Sequence, residues 1–205
     1  MGEGELAQGI ESLLADTPTR RRMANRGREC VDGDGVDRIL MRLRGESLRL
    51  RRVRAQDVEL LWQWANDPAV RRASFSQQPI TWDEHVRWFE EKQGEPGCLM
   101  YLGLDEQDEP VGQVRVDAAA ESEAEIHVSV AAGRRGAGWG ERLIRMAVVE
   151  ALQQRRLRRI RAVIKDENAG SLRVFAKAGF CRVASETRQG ARVVHAVYPC
   201  AESER

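Results

Sequence analysis

The sequence predicts a mixed α/β (α+β) fold, a sheet of about seven strands flanked by helices, with a helical extension in front. Three observations carry this. Seven short segments between residues 47 and 198 alternate apolar and polar positions or are rich in β-branched residues, as strands do. Helical periodicity separates them in several places. In the middle, Glu125 to Val149 reads as one unit: an alternating strand, a glycine-rich turn and an amphipathic helix.

Composition narrows the class. The 205 residues carry a net charge of +1 with both signs mixed, so no bulk attraction to nucleic acid or membrane is expected. No apolar run approaches the ~18 residues of a membrane span, and the N-terminus has no signal-peptide core. Cys30, Cys98, Cys181 and Cys200 show no CxxC pairing. They read as scattered free thiols in a reducing, cytoplasmic setting, and no metal site is expected.

Three regions follow: 1–45, 46–200 and a tail at 201–205. Residues 5 to 43 look helical. Leu6, Ile10, Leu13 and Leu14 share a face, and Thr17-Pro18 reads as N-cap and first helical position of a second helix. The arginines from Arg20 to Arg26 sit on that helix and read as a solvated face flanked by acids, with phosphate or RNA binding the alternative. From Gly45 the pattern changes. Ser47–Val53 is a strand. Asp57–Ala65 is a helix with Val58, Leu61, Trp62 and Ala65 inward, and residues 71–80 read as a loop. Thr81, with Glu84 three residues on, forms a capping box for a helix ending near Gly94. Cys98–Leu104 and Val111–Val116 make a hairpin, followed by the Glu125 strand. Leu157–Lys165 is a strand, and Asn168–Ala178 a helix closed by Gly179. Cys181–Thr187 and Ala191–Tyr198 form a last hairpin around Gln189-Gly190.

The turn Arg134-Arg135-Gly136-Ala137-Gly138-Trp139-Gly140 is suited to an anion. Glycines let the backbone approach a ligand closely, and the first helical amides have no internal partner and point outward. A dinucleotide turn needs glycine where Glu141 stands, and an ATP loop needs Gly-Lys-Ser/Thr where Gly138-Trp139 stands. The spacing is instead R-G-x-G-x-G.

This turn, the strand before it, and Asn168-Ala169-Gly170-Ser171 with Phe175-Ala176-Lys177-Ala178-Gly179-Phe180 together resemble the GNAT acetyltransferase superfamily over about residues 47 to 199. Arg135, Gly138 and Gly140 match its coenzyme A pyrophosphate motif. The resemblance implies a central antiparallel sheet and acetyl-CoA as cofactor. It implies that Arg134, Arg135, Gly136, Gly138, Trp139 and Gly140 meet the pyrophosphate. Backbone groups of Val128 and Val130 would meet the pantetheine arm, with Asn168 and Ser171 on the opposite wall and Lys177 near the phosphates. An N–H near Val130 would face the oxyanion.

Alternation puts Glu125, His127 and Ser129 on one strand face and Ile126, Val128 and Val130 on the other. The family turns the polar face to the acceptor, so Glu125 is the first candidate base, directly or through water, and His127 the second. Many relatives carry a tyrosine acid where this chain has Phe175, which leaves water, Tyr198 or Tyr101 to protonate the thiolate. Trp64-Ala65-Asn66-Asp67 and Glu84-His85-Val86-Arg87-Trp88 resemble the subgroup that acetylates nucleotide-linked 4-amino sugars in pseudaminic acid synthesis. That resemblance implies a UDP-linked amino sugar as acceptor, with Trp64, Asn66, Arg71, Trp82 and His85 at its site. A protein N-terminus, a small amine, or coenzyme A binding without catalysis are the alternatives. Residues 14–38 resemble the end of the UDP-sugar hydrolase of that pathway, hence an upstream fused domain. The other reading is a plain helical extension for homodimerisation.

Overall fold

The computed structural model describes residues 16–19, 48–120, 122–154 and 157–200. The chain divides into two compact units, Met1–Ser47 and Leu48–Arg205. In the first, residues 17–19 are helical and Asp16 caps them, its carboxylate accepting from the Thr19 amide at 2.9 Å. The cap therefore falls one residue before Thr17, because a carboxylate directly before the first turn satisfies a free amide. The rest of the predicted extension, the arginine cluster, the tail resemblance, Cys30 and residues 201–205 lie outside the described residues.

In the second unit, β1 (Arg49–Arg52) leads into a 3-10 turn at Ala55–Asp57, held where Arg51 grips the Asp57 carboxylate through two bonds of 2.9 Å. Three helices follow: α1 (Val58–Ala65), α2 (Pro68–Ala73) and α3 (Trp82–Gly94). The α2 helix corrects the expectation of a loop from residue 71. Asp67 accepts from the Ala69 and Val70 amides and Pro68 presets the first turn, a local signal for a helix start. The capping box of α3 is present, with Thr81 and Glu84 bonded reciprocally.

The sheet is built from β2 (Cys98–Leu104), β3 (Pro110–Ala120), β4 (Glu123–Val130), β5 (Arg159–Lys165), β6 (Cys181–Arg188) and β7 (Ala191–Tyr198), with α4 (Trp139–Gln154) after β4 and α5 (Ala169–Lys177) after β5. Its order is β1-β2-β3-β4-β5-β7-β6. All its pairings are antiparallel except β4 with β5, which is parallel because α4 carries the chain back between them. One face buries Ile126, Ile160, Ala162 and Ile164 under Leu143, Ile144, Ala147 and Val148 of α4 and Phe175 of α5. The other buries Leu61 and Phe89 of the first helices against Met100 and Leu102 of β2.

Cysteine chemistry differs from expectation. Cys181 and Cys200 form a disulfide, with Cα atoms 5.3 Å apart. The 19-residue separation hid it, because the β6–β7 hairpin, rather than local spacing, brings the two ends together. Cys98 is free and buried. No described helix is long and apolar enough to cross a membrane.

Candidate active site

β4 and β5 share only three register pairs, ending at Glu125 and Arg161, although β4 runs on to Val130 and β5 to Lys165. Beyond that point the strands part. The alternation of β4 decides what the gap contains. Ala131 donates to Val111 at 2.9 Å, so the odd residues of β4 bond β3 and the even residues turn their amides and carbonyls toward β5. Val128 and Val130 therefore present backbone groups into the opening.

The glycine turn sits at its end. Gly136 and Gly138 have φ of +83° and +80°, a left-handed region that only glycine enters at little cost. At Gly140 an added Cβ would stand 3.3 Å from Val174 and 3.4 Å from Val130, so helix α4 begins in tight contact with β4 and α5. The amides at the start of α4 have no intrahelical partner and carry the positive end of its dipole. Trp139 is buried, with the Arg142 guanidinium 4.8 Å from its ring centre.

Both arginines of the turn are tied to acids. Arg134 meets the buried Asp105 at 2.8 Å, and Arg135 meets Asp67 at 2.7 Å while its Nε donates to the Val130 carbonyl at 3.2 Å. Asn168 caps α5, its Oδ1 accepting from the Ser171 amide at 3.0 Å. Lys177 is exposed, and its carbonyl accepts from Arg145 at 2.7 Å.

On the opposite sheet face the predicted polar row is present. Glu125 Oε2 lies 3.3 Å from Arg161 Nε, and its Oε1 lies 3.6 Å from His127 Nε2. The same His127 nitrogen lies 3.3 Å from Asp117 Oδ2, which also accepts from Arg115 Nε at 2.7 Å. Burial pushes the Asp117 carboxyl upward, but hydrogen bonds from His127 and Arg115 and the Arg115 charge outweigh it. The group ends well below the usual carboxylate range. Burial, with Asp117 beside it, pushes the Cys98 thiol up to about 12, so it is not a nucleophile. Asp117 and Arg115 were not anticipated, although their alternation with Val114 and Val116 is visible in the sequence. Register pairing of Asp117 with Glu125 and of Arg115 with His127 brings them to the site.

The predicted acceptor residues separate into two groups. Trp64 and Asn66 line a cleft of about 460 Å³ with Asp67, Val130 and Arg135. Trp82 is 41 % exposed and meets Trp62 edge-on at 5.5 Å. The other side chains serve the fold. Arg71 donates to the carbonyls of Ala65, Ser76 and Gln78 and to Ser74, so its guanidinium ties down the 74–78 loop. His85 is 2 % exposed beside Trp88 and Phe89, and desolvation lowers its pKa. The helical face that carries it is the inward one, so it is withdrawn from any acceptor. Asn66 uses its amide to clamp Ile80, accepting at 2.8 Å and donating at 3.0 Å. Of the candidate acids, Tyr101 belongs to the core beneath α4, away from the Glu125 row. Tyr198 packs 5.6 Å from Phe180, and Phe175 is buried edge-on to Phe180 at 5.1 Å.

A second cavity of about 610 Å³ opens at the end of β5, lined by Phe75 and Gln77, by Lys165 to Glu167 and by Gln189 to Arg192 of the last hairpin. Among the described residues no cluster could hold a metal ion.

The family model for the acetyltransferase (GNAT) domain matches residues 47–181. An uncharacterized protein of Methanocaldococcus jannaschii is 24% identical over 135 residues, 64% of this chain, and the match spans only 27% of that protein's length. Among solved structures, a spermidine N-acetyltransferase from Vibrio cholerae in complex with CoA and spermine superimposes with a TM-score of 0.67 at 18% identity, covering 73% of this chain and 94% of that one. An aminoglycoside acetyltransferase in complex with coenzyme A gives 0.65 at 19% identity over 74% and 94%. These likenesses concern the fold.

Proposed function

The chain belongs to the GNAT acetyltransferase family, and from that premise we propose which residues carry its reaction and which amine it modifies. It is an acetyl-CoA-dependent N-acetyltransferase. The cofactor supplies an acetyl thioester, an electrophile for an amine.

The observation that supports the cofactor assignment is the parting of β4 from β5 after Glu125 and Arg161, with the glycine turn at the end of the gap. The residues there fit coenzyme A. Unpaired amides at the start of α4 and the guanidinium groups of Arg134 and Arg135 suit a pyrophosphate. The turned-out backbone of Val128 and Val130 suits an amide-bearing arm, and Asn168 and Ser171 stand at the start of α5 after β5.

Glu125 is the assigned proton acceptor. Arg161 and His127 flank its two oxygens at 3.3 and 3.6 Å, beside the opening where an amine would arrive. His127, more exposed, is the second candidate. The buried Phe175 offers no proton, so water protonates the leaving thiolate.

For the acceptor we favour a nucleotide-linked amino sugar. The exposed Trp82 ring gives a stacking surface, and Phe75, Gln77 and Arg192 around the larger cavity suit a base and a diphosphate. Asp166 in that wall faces Arg182 at 3.0 Å and Arg192 at 3.6 Å. One observation favours a smaller amine or a protein N-terminus instead: Arg71 and His85 are committed to the fold. Thiol release with acetyl-CoA and a panel of UDP-4-amino sugars, peptides and polyamines separates these. Turnover on the sugars alone is expected, and turnover on peptides or polyamines alone overturns the sugar assignment. Saturating acetyl-CoA should also raise the melting temperature, and an unchanged transition removes the cofactor assignment.

A further inference from the structure

Helix α2 is fastened at both ends across the opening between β4 and β5. At its C-terminal end the buried Lys165 ammonium of β5 donates to the Arg72 carbonyl at 2.9 Å. At its N-terminal end Asp67 accepts from Arg135 at 2.7 Å, the contact that joins the two walls of the 460 Å³ cleft. Asp67 Oδ1 also accepts from the Ala69 and Val70 amides, so one carboxylate oxygen both starts the helix and pins it to the glycine turn.

We propose that Asp67 is a positioning residue whose pairing with Arg135 latches α2 against the donor turn, and that coenzyme A opens the latch by taking Arg135. The proposal rests on the donor reading given above. Its physical basis is competition. Arg135 is anchored through Nε to the Val130 carbonyl, so its Nη2 is the end that exchanges partners. A pyrophosphate brought to the turn stands close to the Asp67 carboxylate, and two anions on one guanidinium repel each other. The dianion wins the cation, Asp67 loses its charged partner, and the N-terminal end of α2 loosens while Lys165 keeps the other end in place. Because α2 and the Arg71-tied loop after it lead to Phe75 and Gln77 of the larger cavity, filling the donor site loosens the acceptor wall.

Asp67→Asn tests this, because asparagine is an equally good cap but removes the charge. Asp67→Ser serves as a second capping variant. Hydrogen exchange is followed with and without coenzyme A, together with its Kd. In the wild-type chain coenzyme A is expected to slow exchange over residues 134–142 and to speed it over 66–74. In Asp67→Asn, residues 66–74 exchange fast without ligand and no longer respond. Coenzyme A then binds about twofold to fivefold tighter, the size expected for a half-exposed ion pair. A residue with a merely structural role would weaken binding when changed. Slowing over 134–142 with no acceleration over 66–74, or unchanged or weaker binding by both variants, overturns the latch and leaves the donor reading intact. No slowing at 134–142 overturns the donor reading and the latch with it.

Discussion

Glu125 and Arg161 form the last register pair before β4 and β5 diverge, and their side chains meet at 3.3 Å on the sheet face opposite α4. The candidate base is therefore placed at the fork where the opening begins, with its carboxylate beside the Arg161 guanidinium. Glu125→Gln keeps the shape and removes the proton acceptor. We expect kcat/KM to fall by roughly 10²–10⁴-fold, the usual contribution of a general base, with little change in coenzyme A affinity. A larger loss in His127→Gln than in Glu125→Gln would move the role to the imidazole.

The glycine turn gives a prediction of a different kind. Gly138 needs a left-handed backbone, so Gly138→Ala should cost about 1–2 kcal/mol in strain and weaken coenzyme A binding more than tenfold, measured by calorimetry. Gly140→Val presses into Val130 and Val174 and should abolish binding. Normal affinity in both variants would mean that the cofactor does not use this turn.

Asp117 predicts a pH dependence. Its folded pKa lies below its unfolded value of about 3.9, so it stabilises the fold above that value. The contribution fades as pH falls below about 4 toward the folded pKa. Thermal unfolding of the wild type should lose stability across that acid window more steeply than Asp117→Asn. Parallel curves would show that the His127 and Arg115 contacts do not hold the charge in solution.

The disulfide closes the end of β7 onto the start of β6, its cysteines 19 positions apart in the chain. Cross-linking a loop of that size is worth about 3 kcal/mol, so Cys200→Ser should lower the melting temperature by roughly 6–12 °C. Reductant should do the same to the wild type and nothing further to the variant. Equal melting of all three would mean that the thiols are not joined.

How much of this was legible depends on the range of the forces involved. Alternation, capping and turn chemistry act over a few residues. They gave six strands nearly in place, the capping box at Thr81, the Gly179 stop and the polar row of Glu125, His127 and Ser129. The Asp67-Pro68 start of α2 is equally local, a capping carboxylate followed by a proline. Arg71 and His85 show contacts of another kind. Their residue types suit a ligand, but the carbonyls of Ala65, Ser76 and Gln78 engage Arg71 and an inward helix face buries His85, and neither is visible from spacing.

By itself the sequence determined the strands, the longer helices, the glycine turn and the family, because each rests on short-range patterns of φ, period and spacing. Tertiary structure alone decided that β4 leaves β5 at Glu125, that Asp117 stands behind His127, that Cys181 reaches Cys200, and that Asp67 meets Arg135, 68 positions on in the chain. Those are pairings between distant segments, fixed by strand register and helix packing. No local preference of either partner specifies them.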